Sequence, residues 1–207
     1  MKALHVLAGG LLPALCAACG RSCRSDAVLC TRCNRRLAEA EPLSGGGAPG
    51  LDRAWSSAAH EGVARDLVAA LKFRRLLPVA GLIAERIQWL APGSLLSGAI
   101  VPVPTARLRA MARGFDPASE IAAALAEVSG LPLEPCLARS GGGRQVGRRR
   151  AERIGHPPLI RARGEAPRSV LLVDDVLTTG ATLSAAARAL RGAGAIRVAA
   201  ITFTRRL

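Results

Sequence analysis

A run of branched apolar residues, Val170-Leu171-Leu172-Val173, ends abruptly in two carboxylates, Asp174 and Asp175. Val176 and Leu177 follow, then Thr178-Thr179-Gly180-Ala181-Thr182, then an Ala-rich segment whose composition demands helix. That order reads as buried strand, loop and helix N-terminus. Such a loop presents unpaired backbone N–H groups at the positive end of a helix dipole, where phosphate binds. The hydroxyls of Thr178, Thr179 and Thr182 add donors, and Gly180 lets the backbone approach a ligand closely. Two carboxylates do not favour the phosphate itself. They suit the hydroxyls of an attached sugar, or a magnesium ion beside it. The chemistry expected of this stretch is therefore that of a ribose 5-phosphate site.

Here the chain resembles the type I phosphoribosyltransferases, whose motif for phosphoribosyl pyrophosphate (PRPP) is a strand followed by Asp-Asp-x-x-Thr-Thr-Gly-x-Thr. Every position matches. The resemblance implies that Asp174 and Asp175 hold the ribose hydroxyls and act in catalysis, and that Val176 to Thr182 wrap the 5-phosphate. The leaving group of such a transfer is pyrophosphate, which needs a second anion site at another strand end. Ile100-Val101-Pro102-Val103-Pro104 reads as a strand and a rigid turn, and Thr105, Ala106 and Arg107 follow it. In the resembled enzymes the pyrophosphate loop occupies this place, and a guanidinium forks well onto phosphate oxygens. Arg113 of Arg113-Gly114-Phe115 is either another phosphate contact or a surface residue. Residues 139–157 lack apolar periodicity and hold Arg144, Gln145 and Arg153. They read either as a flexible loop that closes over PRPP and excludes water, or as a basic loop that touches DNA; both can hold.

Five of the six cysteines lie between residues 16 and 33. Cys16-Ala-Ala-Cys19 and Cys30-Thr-Arg-Cys33 are two knuckles ten residues apart, a spacing that suits tetrahedral thiolate coordination of zinc. The set has no histidine and no evident open position, which argues for a structural rather than a catalytic site; the rival reading is a disulfide cluster, which requires export. Too little apolar sequence lies here to fold without a metal. Cys23 is either an alternative ligand to Cys19 or a spare thiol. Cys136 reads as a small core residue.

The elements that must position these groups are legible from periodicity. Strands are expected at Trp55–His60, Ala99–Val103, Leu133–Ala138, Leu159–Ala162, Val170–Val173 and Ile196–Phe203. Helices are expected at Val63–Phe73, Val79–Leu90, Ala118–Val128 and over 183–193. Their alternation predicts an α/β fold with a mostly parallel sheet flanked by helices. Residues 1–41 are read as a short helix plus the zinc ribbon, 42–52 as a flexible Gly/Pro linker, and 53–207 as the main domain. No nucleophile-activating constellation is visible. Of the histidines His5, His60 and His156, His60 reads as a satisfied residue at a strand end.

The formal net charge is +14, carried almost entirely by arginine, which favours polyanionic partners. Two Trp, three Phe and no Tyr leave base-stacking platforms poorly supplied. No run is long enough to cross a bilayer. Gly9, Gly10 and Pro13 break the first apolar stretch, so a cytoplasmic location is expected over export.

A Cys-rich ribbon, a Pro-Val-Pro loop, an Arg-Gly-Phe and the PRPP motif occur in the order found in the ComF family, and the resemblance extends to Lys72 in Leu71-Lys72-Phe73 and to Gln145 and Arg153. It implies a type I phosphoribosyltransferase fold with a small zinc ribbon, magnesium accompanying PRPP, an unidentified acceptor, and a role in DNA uptake during natural transformation. The alternative it leaves open is a non-catalytic PRPP or nucleotide sensor that binds single-stranded DNA or a competence helicase. The family usually continues Arg-Gly-Phe with Asn-Gln, where this chain has Asp116-Pro117. A Thr commonly stands where Gly142 is, and an Asn where His156 is.

Overall fold

The computed structural model describes residues 14–45, 48–105, 111–139 and 159–207. Its centre is set by two apolar runs with β-branched character, which form β8 (Ser169–Leu177) and β9 (Arg197–Arg205). They pair in parallel, with Asp174 opposite Thr202 and Val176 opposite Thr204. The sheet is completed by β3 (Leu43–Ser44), β4 (Arg53–Ala59) and β5 (Ala99–Pro102), in the order β3-β4-β9-β8-β5. Only the β3–β4 pairing is antiparallel. The expected mostly parallel α/β architecture is thus present.

Strand periodicity divides the core in two. Leu171, Val173, Ile201 and Phe203 face α2 (Gly62–Arg74), α3 (Pro78–Leu90) and α4 (Pro117–Ser129). Val170, Leu172, Val198 and Ala200 face the other way, onto α5 (Ala181–Gly192) and the hairpin of β6 (Leu137–Arg139) and β7 (Ile160–Ala162). Both faces of β8 are therefore dry, which explains why its sequence runs apolar without alternation.

The cysteine segment forms the hairpin β1 (Ala14–Leu15) and β2 (Ser22–Cys23), then α1 (Thr31–Ala38). Cys16, Ala17, Leu29, Cys33 and Leu37 are buried in the same cluster as Trp55, Leu67 and Ile83. Arg74 donates to the Ala17 carbonyl. Arg86 donates to the carbonyls of Ala40 (2.6 Å) and Ser57 (3.0 Å). The ribbon is packed onto the main domain rather than tethered to it.

Two expectations are modified. The strand expected over Leu133–Ala138 begins only at Leu137, with an isolated bridge from Leu133 to Ile100. Pro132 and Pro135 lack the N–H donors a continuous ladder needs. The stretch expected as a flexible linker is anchored where it is described. Leu43 and Ser44 pair with Ser56 and Trp55. The Pro49 carbonyl accepts from Ser184 Oγ at 2.5 Å, and the Gly50 carbonyl from Arg191 Nε at 2.9 Å. Glycine and proline broke the periodicity here because the chain bends repeatedly against α5, not because it is loose.

Gly98 has φ +83°, and a Cβ there would lie 2.4 Å from the Ser169 carbonyl oxygen. The start of β5 therefore meets the start of β8 only through a residue with no side chain. Gly98→Ala is expected to destabilise the protein by about 2–5 kcal/mol, ~1–2 from the left-handed backbone and ~1–3 from the overpacking. Urea unfolding followed by circular dichroism checks it.

Candidate functional site

Ligands of open parallel sheets sit beyond the carboxyl ends of the strands, and the singled-out residues of β8 gather there. The loop between β8 and α5 is short. Val176 and Leu177 are still strand, paired with Thr204 and Arg205. Thr178 and Thr179 are exposed, and Gly180 is the residue before α5 with φ +74°. A Cβ on Gly180 would come within 2.8 Å of the Ala48 side chain. Thr179 Oγ1 accepts from the Ala181 N–H at 3.4 Å. Thr182 is half-buried in the first turn. No acidic residue stands in the first turn of α5, so its dipole is uncompensated by a side chain of that turn. The geometry is that of a helix start whose free backbone N–H groups could receive an anion.

The two acids are not equivalent. Asp175 is buried and clamped by Lys72 from the last turn of α2, with Nζ 2.8 Å from Oδ1 and 2.7 Å from Oδ2. Asp174 is half-buried and has no ion-pair partner among the described residues; its Oδ1 accepts from the Asp175 N–H at 2.8 Å. Burial, together with the neighbouring Asp175 charge, pushes the Asp174 carboxyl well above the usual range, against the lowering pull of the Asp175 N–H and of Lys72. Asp174 is thus the acid whose charge a cation or sugar hydroxyls would stabilise, while Asp175 is held by the fold. The role of Lys72 was not legible from its position 103 residues away. The Leu-Lys-Phe match marked it without explaining it.

The second loop leaves β5 beside the acids, where the Val103 N–H donates to the Val173 carbonyl at 2.9 Å. Thr105 then binds Asp116: its N–H donates to Oδ2 at 3.0 Å and its hydroxyl to Oδ1 at 2.9 Å. Asp116 Oδ1 also accepts from the Ala118 N–H at 3.1 Å, capping α4. The Asp116-Pro117 departure from the resembled pattern therefore serves as a helix start that also fixes the loop. Both donors of Thr105 are engaged by protein, so Thr105 shapes this loop with its donors already used. Ala106 and Arg107, like Arg144, Gln145 and Arg153, lie outside the described residues.

Two arginine–phenyl stacks stand beside these loops. The Arg113 guanidinium lies over Phe73 at 5.5 Å, and that of Arg75 over Phe115 at 5.9 Å. Phe73 is nonetheless 74% exposed. The few aromatics of the chain are thus partly concentrated on one cationic surface, which composition could not reveal.

The Cys16, Cys19, Cys30 and Cys33 sulfurs all lie within 4.8 Å of one another, and Cys19 and Cys30 Sγ are 3.8 Å apart. Tetrahedral zinc with Zn–S of ~2.3 Å requires sulfurs ~3.8 Å apart, so the donor set fits zinc. All four thiols are unbridged. Burial raises the Cys16 thiol, but the N–H groups of Cys19, Cys30 and Ala18 outweigh it and bring it down to about 6. Burial and thiol hydrogen bonds push Cys33 up to about 12. Gly20, at φ +72°, closes the first knuckle by donating to the Cys16 carbonyl at 2.9 Å. Cys23 donates instead to the Ala27 carbonyl at 3.4 Å and is outside the set.

Lys72→Met is expected to destabilise the protein by ~3 kcal/mol, because it strands a buried carboxylate. The double variant with Asp175→Asn is expected to recover most of that loss in a denaturant double-mutant cycle; additive effects would show that the two groups do not interact. Replacing Cys30 and Cys33 by Ser is expected to abolish binding of one zinc per chain by metal analysis. The same change should lower the unfolding temperature of the whole protein by about 10 °C, since a domain of this size shifts ~2–4 °C per kcal/mol.

Residues 111–207 match the family model of the phosphoribosyl transferase domain. No curated protein matches the chain. The matched stretch contains α4, β8 with its acid pair, the Gly180 loop, α5 and β9, so this part of the chain is a phosphoribosyl transferase-like domain carried with an N-terminal four-cysteine cluster.

Proposed function

We propose that the protein binds PRPP and transfers its phosphoribosyl group to an acceptor. The observation that carries this reading is an acid pair at the tip of β8 running directly into a backbone cradle at the start of α5, inside a phosphoribosyl transferase-like domain. Asp174 takes the ribose hydroxyls, and Asp175, clamped by Lys72, fixes the strand tip beside it. The segment from Val176 to Thr182 takes the 5-phosphate, with Thr178, Thr179 and the amides after Gly180 as donors. The loop at Thr105, Ala106 and Arg107 takes the pyrophosphate. Arg144, Gln145 and Arg153 belong to the segment that covers the bound sugar and keeps water from it. Magnesium suits this oxygen-rich site; Asp174 would hold it, and it would supply neutralisation of the departing pyrophosphate. Zinc in the four-cysteine cluster is structural.

In the reaction, the bond from ribose C1 to the pyrophosphate oxygen breaks, its electron pair leaves with pyrophosphate, and an acceptor lone pair forms the new bond to C1. The resemblance to the ComF family supports a place for this activity in DNA uptake. A second reading, a PRPP sensor that also binds single-stranded DNA or a competence helicase, is favoured by the exposed Phe73 beneath Arg113, the neighbouring Arg75–Phe115 stack and the net charge of +14.

Calorimetric titration of magnesium and PRPP tests the common part. Asp174→Asn and Gly180→Ala are each expected to weaken binding by ten- to a hundredfold, ~1.4–2.8 kcal/mol, with Asp174→Asn sparing the Lys72 clamp. Equal affinity in wild type and both variants would refute the assignment. Release of pyrophosphate with some member of an acceptor screen separates the enzyme from the sensor. Release at the rate of simple hydrolysis throughout would favour the sensor.

A further inference from the structure

A cavity of about 360 Å³ opens at the carboxyl ends of β4 and β9, walled by His60, Glu61, Arg65, Arg205 and Arg206. Its lining holds three arginines and one glutamate, with Ala59 and Leu207 completing the wall. Arg205 is turned to the Gly45 carbonyl at 2.7 Å, and Arg65 to Asp66 at 3.2 Å. The Arg206 guanidinium has no hydrogen-bond partner among the described residues, while its backbone N–H donates to the Leu177 carbonyl at 2.9 Å. His60 is fixed by Nδ1, 2.8 Å from Thr204 Oγ1. Thr204 Oγ1 in turn lies 3.4 Å from the Asp175 carbonyl oxygen. The cavity wall is therefore bonded to the strand that carries the acids and the cradle.

The strand order gives this cavity a role. With β4-β9-β8-β5, the loop assigned to pyrophosphate leaves β5 on one side of β8, and the cavity lies at β9 and β4 on the other. A displacement at ribose C1 needs the nucleophile on the side opposite the leaving group. The cavity occupies that side. Its cationic wall selects against a cationic acceptor and for one that bears a carboxylate or phosphate. Burial, with the nearby charges of Arg206, Lys72 and Arg65, holds the His60 imidazole below its usual range. It adds no positive charge at neutral pH and stays available as a neutral hydrogen-bonding group.

We propose that this cavity is the acceptor subsite and that the acceptor carries an anionic group, received by Arg206 and Arg65 beside His60. The acceptor role rests on the PRPP reading above; the anion site itself does not.

His60 is one of only three histidines, so its ring nitrogens can be followed by two-dimensional NMR. Acetate and inorganic phosphate are each titrated into the full chain, alone and with the cradle saturated by ribose 5-phosphate. At least one anion is expected to shift the His60 signals saturably while His5 and His156 stay put. The double variant Arg65→Ala with Arg206→Ala is expected to weaken that response at least tenfold without changing ribose 5-phosphate affinity. Whichever anion saturates identifies the group. No saturable shift, an undiminished shift in the variant, or a parallel drift of all three histidines would overturn the site. Ribose 5-phosphate binding, measured separately by calorimetry, fails only if the PRPP reading is wrong. A His60 response without ribose 5-phosphate binding would leave an anion site and overturn its acceptor role.

Discussion

The buried ion pair between Lys72 and Asp175 is the constraint on which the arrangement of the site depends. Its two groups are only 20% and 10% exposed, so neither tolerates the loss of the other. Lys72 holds Asp175, whereas Asp174 has no ion-pair partner among the described residues. The same turn of α2 makes three further connections. Phe73 carries the Arg113 guanidinium, Arg74 binds the Ala17 carbonyl in the cysteine segment, and Arg75 stacks on Phe115. Four consecutive side chains thus join the acid pair, the Arg-Gly-Phe turn and the ribbon. Arg75 takes φ +53°, a strained value for a side-chain-bearing residue, at the point where these connections meet.

Electrostatics and burial pull in opposite directions around that joint. A dry, parallel sheet disfavours charge, yet its carboxyl edge holds Asp174, Asp175 and Lys72 together. Beside them, the buried hydroxyls of β4 and β9 are each bonded. Ser56 and Thr202 lie 2.7 Å apart, Ser57 donates to the Phe203 carbonyl at 2.8 Å, and Thr204 sits between His60 and Asp175. These residues are buried in β4 and β9, and they line the path from apolar core to polar rim. Buried polar groups persist only when bonded, and the buried side-chain atom without a partner among the described residues is Nε of Arg86.

The four-cysteine cluster shares this economy of contacts. Cys16 and Cys33 are buried in the core that also holds α2, α3 and α4. A metal held there would close a small hairpin and also complete one wall of the main core. Metal binding and stability of the transferase-like domain are therefore coupled through packing, in contrast to a zinc module on a free tether.

The amino-acid sequence by itself determined the local chemistry. An apolar run ending in Asp174 and Asp175, the Thr-Thr-Gly-x-Thr loop and the paired Cys-x-x-Cys knuckles are short-range patterns, because strand, turn, helix start and knuckle are each decided within a few residues. The layered α/β fold followed from the period of the apolar positions. Contacts between distant residues were decided only by the tertiary structure. Nothing in the neighbourhood of Lys72 points to Asp175, nor of Asp116 to Thr105, nor of Arg75 to Phe115. The Gly/Pro stretch before β4 looked loose for the same reason: Pro49 and Gly50 find their partners on α5, more than a hundred residues away. His60 read as a satisfied edge histidine, and Thr204 does satisfy its Nδ1, but only the packing of β4 against β9 placed its ring among arginines. Side chains are chosen locally, whereas their partners are set by which strands lie side by side.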